Sequence, residues 1–191
     1  MAAMAKLIYS AIASLDGYVA DEHGKFDWAA PDEEVHAFAN DLERRLGTHL
    51  YGRRMYETMK VWDSDEIFEG QPAVMRDYAE IWRAADKIVY SRSLDEVETA
   101  RTRLERSFDP EAIRALKETA ERDIGIGGPE LAGQALATDL VDEIHLLLAP
   151  VAVGAGKPAL PVRSRLSLEL VDHAKFANGT IYLRYALGSS S

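Results

Sequence analysis

Two short segments bring together residue types suited to holding anions. Gly52-Arg53-Arg54 sets two guanidinium groups directly after the apolar run ending in Leu50-Tyr51 and ahead of Met55, Met59 and Trp62, which recur at helical spacing. A phosphate placed there gains backbone N–H donors, the positive end of a helix dipole and forked arginine contacts. A solvated basic corner has the same composition, and the tripeptide alone does not separate the two. Gly127-Gly128-Pro129 likewise follows a short apolar run, Asp123 to Ile126. Paired glycines let a backbone approach a pyrophosphate closely, and a plain tight turn would look the same. Gly125-Ile126-Gly127 is not the dinucleotide fingerprint, because Glu130 stands where its third glycine belongs. Gly154-Ala155-Gly156-Lys157 is not a phosphate loop either: Val151 replaces the first glycine and Pro158 the Ser/Thr.

Other chemistries find little support. The chain has no cysteine, which excludes disulfides, thiolate metal sites and cysteine nucleophiles. His23, His36, His49, His145 and His173 show no metal-ligand spacing, and no Gly-x-Ser-x-Gly elbow exists. No metal is expected. Asp32, Glu33 and Glu34 suit the positive end of a helix. Trp28 lies in a loop, where it could stack on a ring or plug the core edge, and His145 in an apolar strand reads as a satisfied core histidine.

The elements that must position these residues can be read from periodicity. Lys6 to Ala13 predicts a buried strand, followed by a turn at Asp16-Gly17 and a polar loop around Gly24. Val35, Phe38, Ala39, Leu42 and Leu46 predict a helix entered at Pro31 and stopped at Gly47. Strands are expected at Thr48–Tyr51, Lys87–Tyr90, Thr102–Phe108, Asp123–Ile126 and Glu143–Ala149. Helices are expected after Pro72, Pro110 and Pro129. Leu166 to Phe176 and Thr180 to Leu187 alternate about Asn178-Gly179, which suits a type I′ hairpin turn. The pattern predicts one α/β domain over residues 1–191, with a core at 6–187 and a frayed tail at 188–191. Its sheet is mixed and mostly parallel, with a C-terminal antiparallel hairpin. The 191 residues carry 22 basic and 32 acidic side chains, a net charge of −10 that argues against nucleic-acid partners. Hydrophobic residues at 47% fit a globule, and no run reaches the ~18 apolar residues of a membrane helix. No signal-peptide core is present, so a cytoplasmic protein is expected.

Taken in order, these segments resemble the dihydrofolate reductase superfamily, in particular the C-terminal reductase domain of the bifunctional riboflavin-biosynthesis deaminase-reductase (RibD). Ser14-Leu15-Asp16-Gly17, Tyr51-Gly52-Arg53-Arg54-Met55-Tyr56-Glu57, Gly127-Gly128-Pro129-Glu130-Leu131 and Leu140-Val141-Asp142-Glu143 carry the resemblance, which spans Lys6 to Leu187. It implies a three-layer fold that binds NADPH. Ala13 would lie on the nicotinamide side and Trp28 would contact the cofactor, while Gly52, Arg53, Arg54, Ser91 and Arg92 would lie near the adenosine-side phosphates. Gly127, Gly128, Pro129, Glu130, Leu131 and Ala132 would form the pyrophosphate turn. Met55 replaces a common threonine, and Ile126 replaces the substrate-binding glutamate of the riboflavin enzyme. The folate enzymes' carboxylate falls on Glu33 when anchored at Pro31, and on His36 when counted back from Gly52. Asp16 and Glu33 are thus the candidate catalytic acids.

The expected activity is NADPH-dependent hydride transfer to a small heterocyclic or sugar-like substrate, formally 5-amino-6-(5-phosphoribosylamino)uracil. A dihydrofolate or pterin reductase and a nucleotide-binding module without turnover are the alternatives. The apolar run from Glu143 through Val153, with Leu160, Pro161 and Val162, predicts a homodimer.

Overall fold

The structure, a computed structural model, describes residues 4–65 and 68–188. Of the tail expected to fray, residues 189–191 lie outside the described residues. The strands are β1 (Leu7–Ser14), β2 (Tyr18–Asp21), β3 (Leu46–Gly52), β4 (Asp86–Tyr90), β5 (Thr102–Glu105), β6 (Asp123–Gly127), β7 (Glu143–Ala149), β8 (Gly156–Pro158), β9 (Leu168–Lys175) and β10 (Ile181–Leu187). The helices are α1 (Glu33–Glu43), α2 (Arg53–Met59), α3 (Ala73–Ala84), α4 (Pro110–Thr119) and α5 (Pro129–Leu136).

Eight strands form one sheet in the order β5-β4-β3-β6-β1-β7-β10-β9. Neighbours from β5 to β7 are parallel, and β10 runs antiparallel to both β7 and β9. Helices cover both faces, so the central strands carry apolar side chains on both sides. On one face Leu7 and Tyr9 of β1, Leu50 of β3, Ile124 and Ile126 of β6 and Ile144 of β7 pack with Leu131, Ala132 and Ala135 of α5 and Ile113 of α4. The other face divides into two clusters. Val35, Leu147, Phe176 and Tyr182 pack beneath α1, and Tyr51, Tyr56, Trp82 and Val89 beneath α2 and α3.

The mostly parallel sheet and closing hairpin agree with the sequence reading, and the differences are local. Pro31 lies ahead of α1, because the Asp32 side chain takes the cap and accepts the Val35 N–H at 3.0 Å. Gly47 does not end the helix but sits within β3. Trp62 belongs to a 3-10 turn, Lys60–Asp63, that follows α2. At the hairpin the Gly179 N–H bonds to the Phe176 carbonyl, and positive φ occurs at Gly179 but not Asn178. A type I′ turn needs positive φ at both, so the loop is instead a longer turn with glycine at its left-handed position. The Asn178 side chain accepts the Thr180 N–H at 2.8 Å, which stabilises this alternative.

β7, whose apolar run suggested an interface, lies inside the sheet between β1 and β10. Its side chains are therefore covered within the chain. Leu160 packs on the main core, and Pro161 lies against Gly133, leaving Val162 exposed. Within β7, Glu143 accepts from Lys6 Nζ at 2.6 Å, and its other oxygen lies 3.0 Å from His145 Nε2. His145 Nδ1 lies 3.2 Å from the Tyr182 hydroxyl. It is a core histidine with both ring nitrogens engaged.

The antiparallel pair β2–β8 has no clear sequence signal, since both strands are short and β8 contains Pro158. It depends on Gly156, whose φ is +154°. A Cβ there would lie 2.0 Å from the Ala20 carbonyl oxygen. Because the obstruction is backbone, Gly156→Ala is expected to separate the pair and lower stability by about 1–3 kcal/mol in urea unfolding. An unchanged midpoint would show that β2 and β8 contribute nothing to the fold.

Candidate active site

Parallel register decides which loops meet. Gly52 is opposite Tyr90, Tyr51 opposite Gly127, and Tyr9 opposite Ile126. The segments leaving β4, β3 and β6 therefore emerge side by side on one edge of the sheet, with β1 beside them. This is where open α/β sheets bind ligands. The structure brings Ser91-Arg92, Gly52-Arg53-Arg54 and Gly127-Gly128-Pro129 to that edge.

Gly127 and Gly128 meet the conditions for close backbone approach. A Cβ on Gly127 would lie 3.1 Å from the Tyr51 ring and 3.3 Å from Met55, and Gly128 holds φ +90° as the cap of α5. Pro129 fills the first helical position and lacks an N–H, while Glu130 and Leu131 keep N–H groups that the helix does not use. Leu131 and Ala132 are buried and anchor the helix start to the core.

The arginines are not equivalent. Arg54 faces Glu130 at 3.8 Å, and Glu130 also accepts from Lys157 at 2.8 Å. The Lys157 hydrogen bond holds the Glu130 carboxyl below its ordinary range. Glu130 thus contributes a competing carboxylate beside the turn. Arg53 and Arg92 are exposed and have no ion pair among the described residues. The Ser91 hydroxyl accepts from the N–H groups of Ser93 and Leu94, so it shapes the turn that carries Arg92. Ala13 is fully buried near the end of β1, and Trp28 lies in the 3-10 turn Asp27–Ala29, its indole nitrogen buried without a partner.

Neither candidate acid lines the cavity beneath α1. Asp16 accepts the Ser14 hydroxyl at 2.6 Å, the Gly154 N–H at 2.7 Å and the Val153 N–H at 3.1 Å. These bonds, the Ser14 one foremost, hold it ionised below its usual range. It clamps the end of β1 to the loop before β8. Glu33 is exposed on the first turn of α1, outside any enclosed space.

The enclosed space lies beneath α1, α2 and α3, as a cavity of about 320 Å³ reaching the edge at Gly127 and Met55. His36, Ala39, Leu42 and Glu43 of α1 form one wall, while Met55, Met59, Trp62 and Tyr78 form another. From the sheet come Ser10, Ile12, His49, Tyr51, His145 and Leu147. The rings of His49 and Tyr51 stack 5.6 Å apart and lean across Gly125 and Gly127, where side chains would collide with them. Ile126 points the opposite way, into the core beneath α4 and α5. Ile126 is nonetheless among the residues that border the cavity.

Glu43 was missed in the sequence, although a signal existed. It lies four residues after Ala39 and one after Leu42, on the apolar stripe of α1, where a carboxylate is out of place. Its oxygen is 3.7 Å from His49 Nδ1. Burial raises the Glu43 carboxyl to about 7. Burial, aided by the charges of Lys87 and Arg122, lowers the His49 imidazole to about 4.

Sheet order, helix placement and the glycine turn define a dihydrofolate-reductase-like three-layer α/β fold. A profile of the RibD C-terminal domain matches residues 5–182, and the chain belongs to that family. It is 26% identical to the uncharacterized protein YyaP of Bacillus subtilis over 182 residues, 94% of each chain. The crystal structure of a putative riboflavin biosynthesis protein from Shewanella sp. PV-4 superposes with a TM-score of 0.74 at 22% identity, covering 96% of this chain and 99% of that one. A dihydrofolate reductase from Enterococcus faecalis complexed with NADP(H) superposes with a TM-score of 0.61 at 14% identity, covering 96% and 97%. The fold is therefore one used by reductases.

The opposed shifts of Glu43 and His49 have a pH signature. A raised carboxyl retains its proton in the fold, so its contribution to stability falls as pH rises from about 4.5 to 7. A lowered imidazole contributes stability that is present above about 6.5 and lost as pH falls towards 4. Between about 4.5 and 6.5 the two slopes cancel. Glu43→Gln removes one of them, so urea unfolding of that variant should show stability rising by about 2 kcal/mol across this interval. A variant profile parallel to the parent's would show that Glu43 titrates normally.

Proposed function

We propose that the protein is an NADPH-dependent reductase that delivers hydride to a C=N or C=O bond of a small heterocyclic or sugar-like molecule. The observation carrying this reading is the junction of two differently built spaces. An edge with two glycines and three arginines opens beside an apolar cavity holding one ionisable carboxyl. Family membership and likeness to reductase folds support the same class of chemistry.

The residues present fit a phosphorylated dinucleotide. The positive φ of Gly128 and the free N–H groups at the start of α5 suit pyrophosphate there. Arg53, Arg54 and Arg92 would hold the remaining phosphates, including a 2′-phosphate, while Ala13 and Trp28 would border the nicotinamide side. When bound, the nicotinamide supplies the hydride. Met55, Met59 and Trp62 give the cavity an apolar wall, and Glu43 holds an exchangeable proton near neutral pH.

Calorimetry should show NADPH binding more tightly than NADH. A charge-assisted hydrogen bond contributes ~1.5–3 kcal/mol, so Arg53→Ala should weaken NADPH binding roughly tenfold or more. Arg54→Ala should cost less, because Glu130 already shares that guanidinium. Equal affinity for the two cofactors would refute the phosphate assignment. NADPH binding without oxidation across a screen of cyclic imines and ketones would instead favour a binding module.

A homodimer remains part of this reading, now through a different surface. β9 is an outer strand of the sheet, and its Leu170 and Val171 are 49% and 44% exposed. An unpaired strand edge is a template for pairing with a second copy about a two-fold axis. Light scattering at micromolar concentration should give about twice the 21.2 kDa chain mass. The single-chain mass would refute pairing.

A further inference from the structure

The tip of the β9–β10 hairpin carries a reactive pair, Asn178-Gly179, that the fold leaves open. An asparagine side chain and the backbone nitrogen of the next residue can close a five-membered imide. Glycine, lacking a Cβ, obstructs that attack least. The chain has two asparagines, and the first is well guarded. Asn40 is buried in α1, where Nδ2 donates to the Val74 carbonyl at 2.8 Å and to Asp77 at 2.7 Å, and Oδ1 lies 3.0 Å from His36 Nδ1. The helical ladder also holds the amide that follows it. Asp16-Gly17 is guarded in another way. Asp16 is ionised and bound by Ser14, Val153 and Gly154, so its carboxyl carbon is a poor target for a nucleophile.

Asn178 has neither protection. Together with Ala177 and Gly179 it is exposed, between the buried Phe176 and Thr180. The Thr180 N–H donates to Oδ1 at 2.8 Å, which folds the side chain back past the Gly179 amide lying between them. That bond draws electrons from Cγ and steadies the charge that gathers on Oδ1 during attack. The Gly179 N–H is taken by the Phe176 carbonyl at 3.0 Å, a single turn bond at an exposed tip that must open first.

We propose that Asn178 is a self-modification site, which converts to isoaspartate and aspartate and gives the hairpin a new carboxylate. Base removes the Gly179 amide proton, the nitrogen bonds to Asn178 Cγ, and the Cγ–Nδ2 bond breaks to release ammonia. Water then opens the imide at either carbonyl. Opening at the main-chain carbonyl leaves the backbone running through Cγ, one methylene longer. One water is consumed and one ammonia is lost, with no oxidant or reductant. The new charge stands close to Glu34 of α1, whose Oε2 accepts the Ala177 N–H at 3.1 Å. The lengthened turn must still seat Phe176 against Phe38, 5.1 Å away. Like-charge repulsion and the extra methylene both loosen the hairpin from α1.

The test is peptide mapping of the full chain after weeks at about 37 °C, at neutral and at mildly alkaline pH. Trypsin releases Asn178 within the peptide Phe176–Arg184. That peptide should gain about 1 Da, at least fivefold faster at the higher pH, and should accept labelled methyl groups from an isoaspartate methyltransferase supplied with S-adenosylmethionine. The peptide holding Asn40 should stay unchanged. Asn178→Gln should remain folded by circular dichroism and take up less than a tenth of the label, because its imide ring would be larger. The aged parent should melt about 2–4 °C lower than fresh protein, and aged Asn178→Gln should not. The proposal is overturned if Phe176–Arg184 stays unmodified, if Asn40 reacts as fast, or if Asn178→Gln takes up label like the parent. A folded rate more than a hundredfold below that of the urea-unfolded chain also overturns it, since the turn would then protect the pair. Modified protein with an unchanged melting temperature would overturn the loosening from α1.

Discussion

The placement of β6 between β3 and β1 is the constraint on which the rest depends. Its register with β3 puts Tyr51 opposite Gly127, and so draws the arginine turn and the glycine turn onto adjacent strand ends. The same strand alternates Ile124 and Ile126 on one face with Gly125 and Gly127 on the other. The isoleucines join the core beneath α4 and α5. The glycines leave the opposite surface low, so that His49 and Tyr51 can lean across it and the cavity can form. One strand thereby anchors the core, shapes the cavity and ends in the glycine turn.

That arrangement separates charge by depth. Cationic groups stand in solvent at the sheet edge, where Arg53 and Arg92 are hydrated and Arg54 is partly satisfied by Glu130. The interior holds a carboxyl and imidazoles that burial drives towards their neutral forms. Keeping both groups uncharged limits the desolvation cost of placing them inside a small core. A ligand spanning the two regions would put its phosphates outside and its ring inside. The physical division disfavours a phosphate within the cavity.

Stitching at the end of β1 holds this geometry. Asp16 binds the N–H groups of Val153 and Gly154, Leu15 bonds to the Val151 carbonyl, and β2 pairs with β8 just beyond. A conspicuous acid in a motif near the site is thus fully employed in backbone contacts. By contrast, Glu43 makes no hydrogen bond to another described residue, with His49 3.7 Å away, and lies where bound chemistry could use it. An engaged carboxylate and an unengaged one differ only in surroundings, which residue type does not disclose.

The sequence alone determined the alternation of strands and helices, both glycine and arginine turns, the burial of His145 and the family. Those follow from periodicity, capping residues and local turn chemistry, which act over a few neighbours. It also contained the anomaly of Glu43 on an apolar stripe, although periodicity alone gave that residue no partner. Tertiary structure decided that Ile126 joins the core beneath α4 and α5, that β7 is interior and that Asp16 is a clamp. It also decided that Glu43 meets His49. Each of these depends on strand register or on contact between segments distant in sequence. A one-residue change of register would reverse every face in a strand, while leaving its local pattern of residues unchanged.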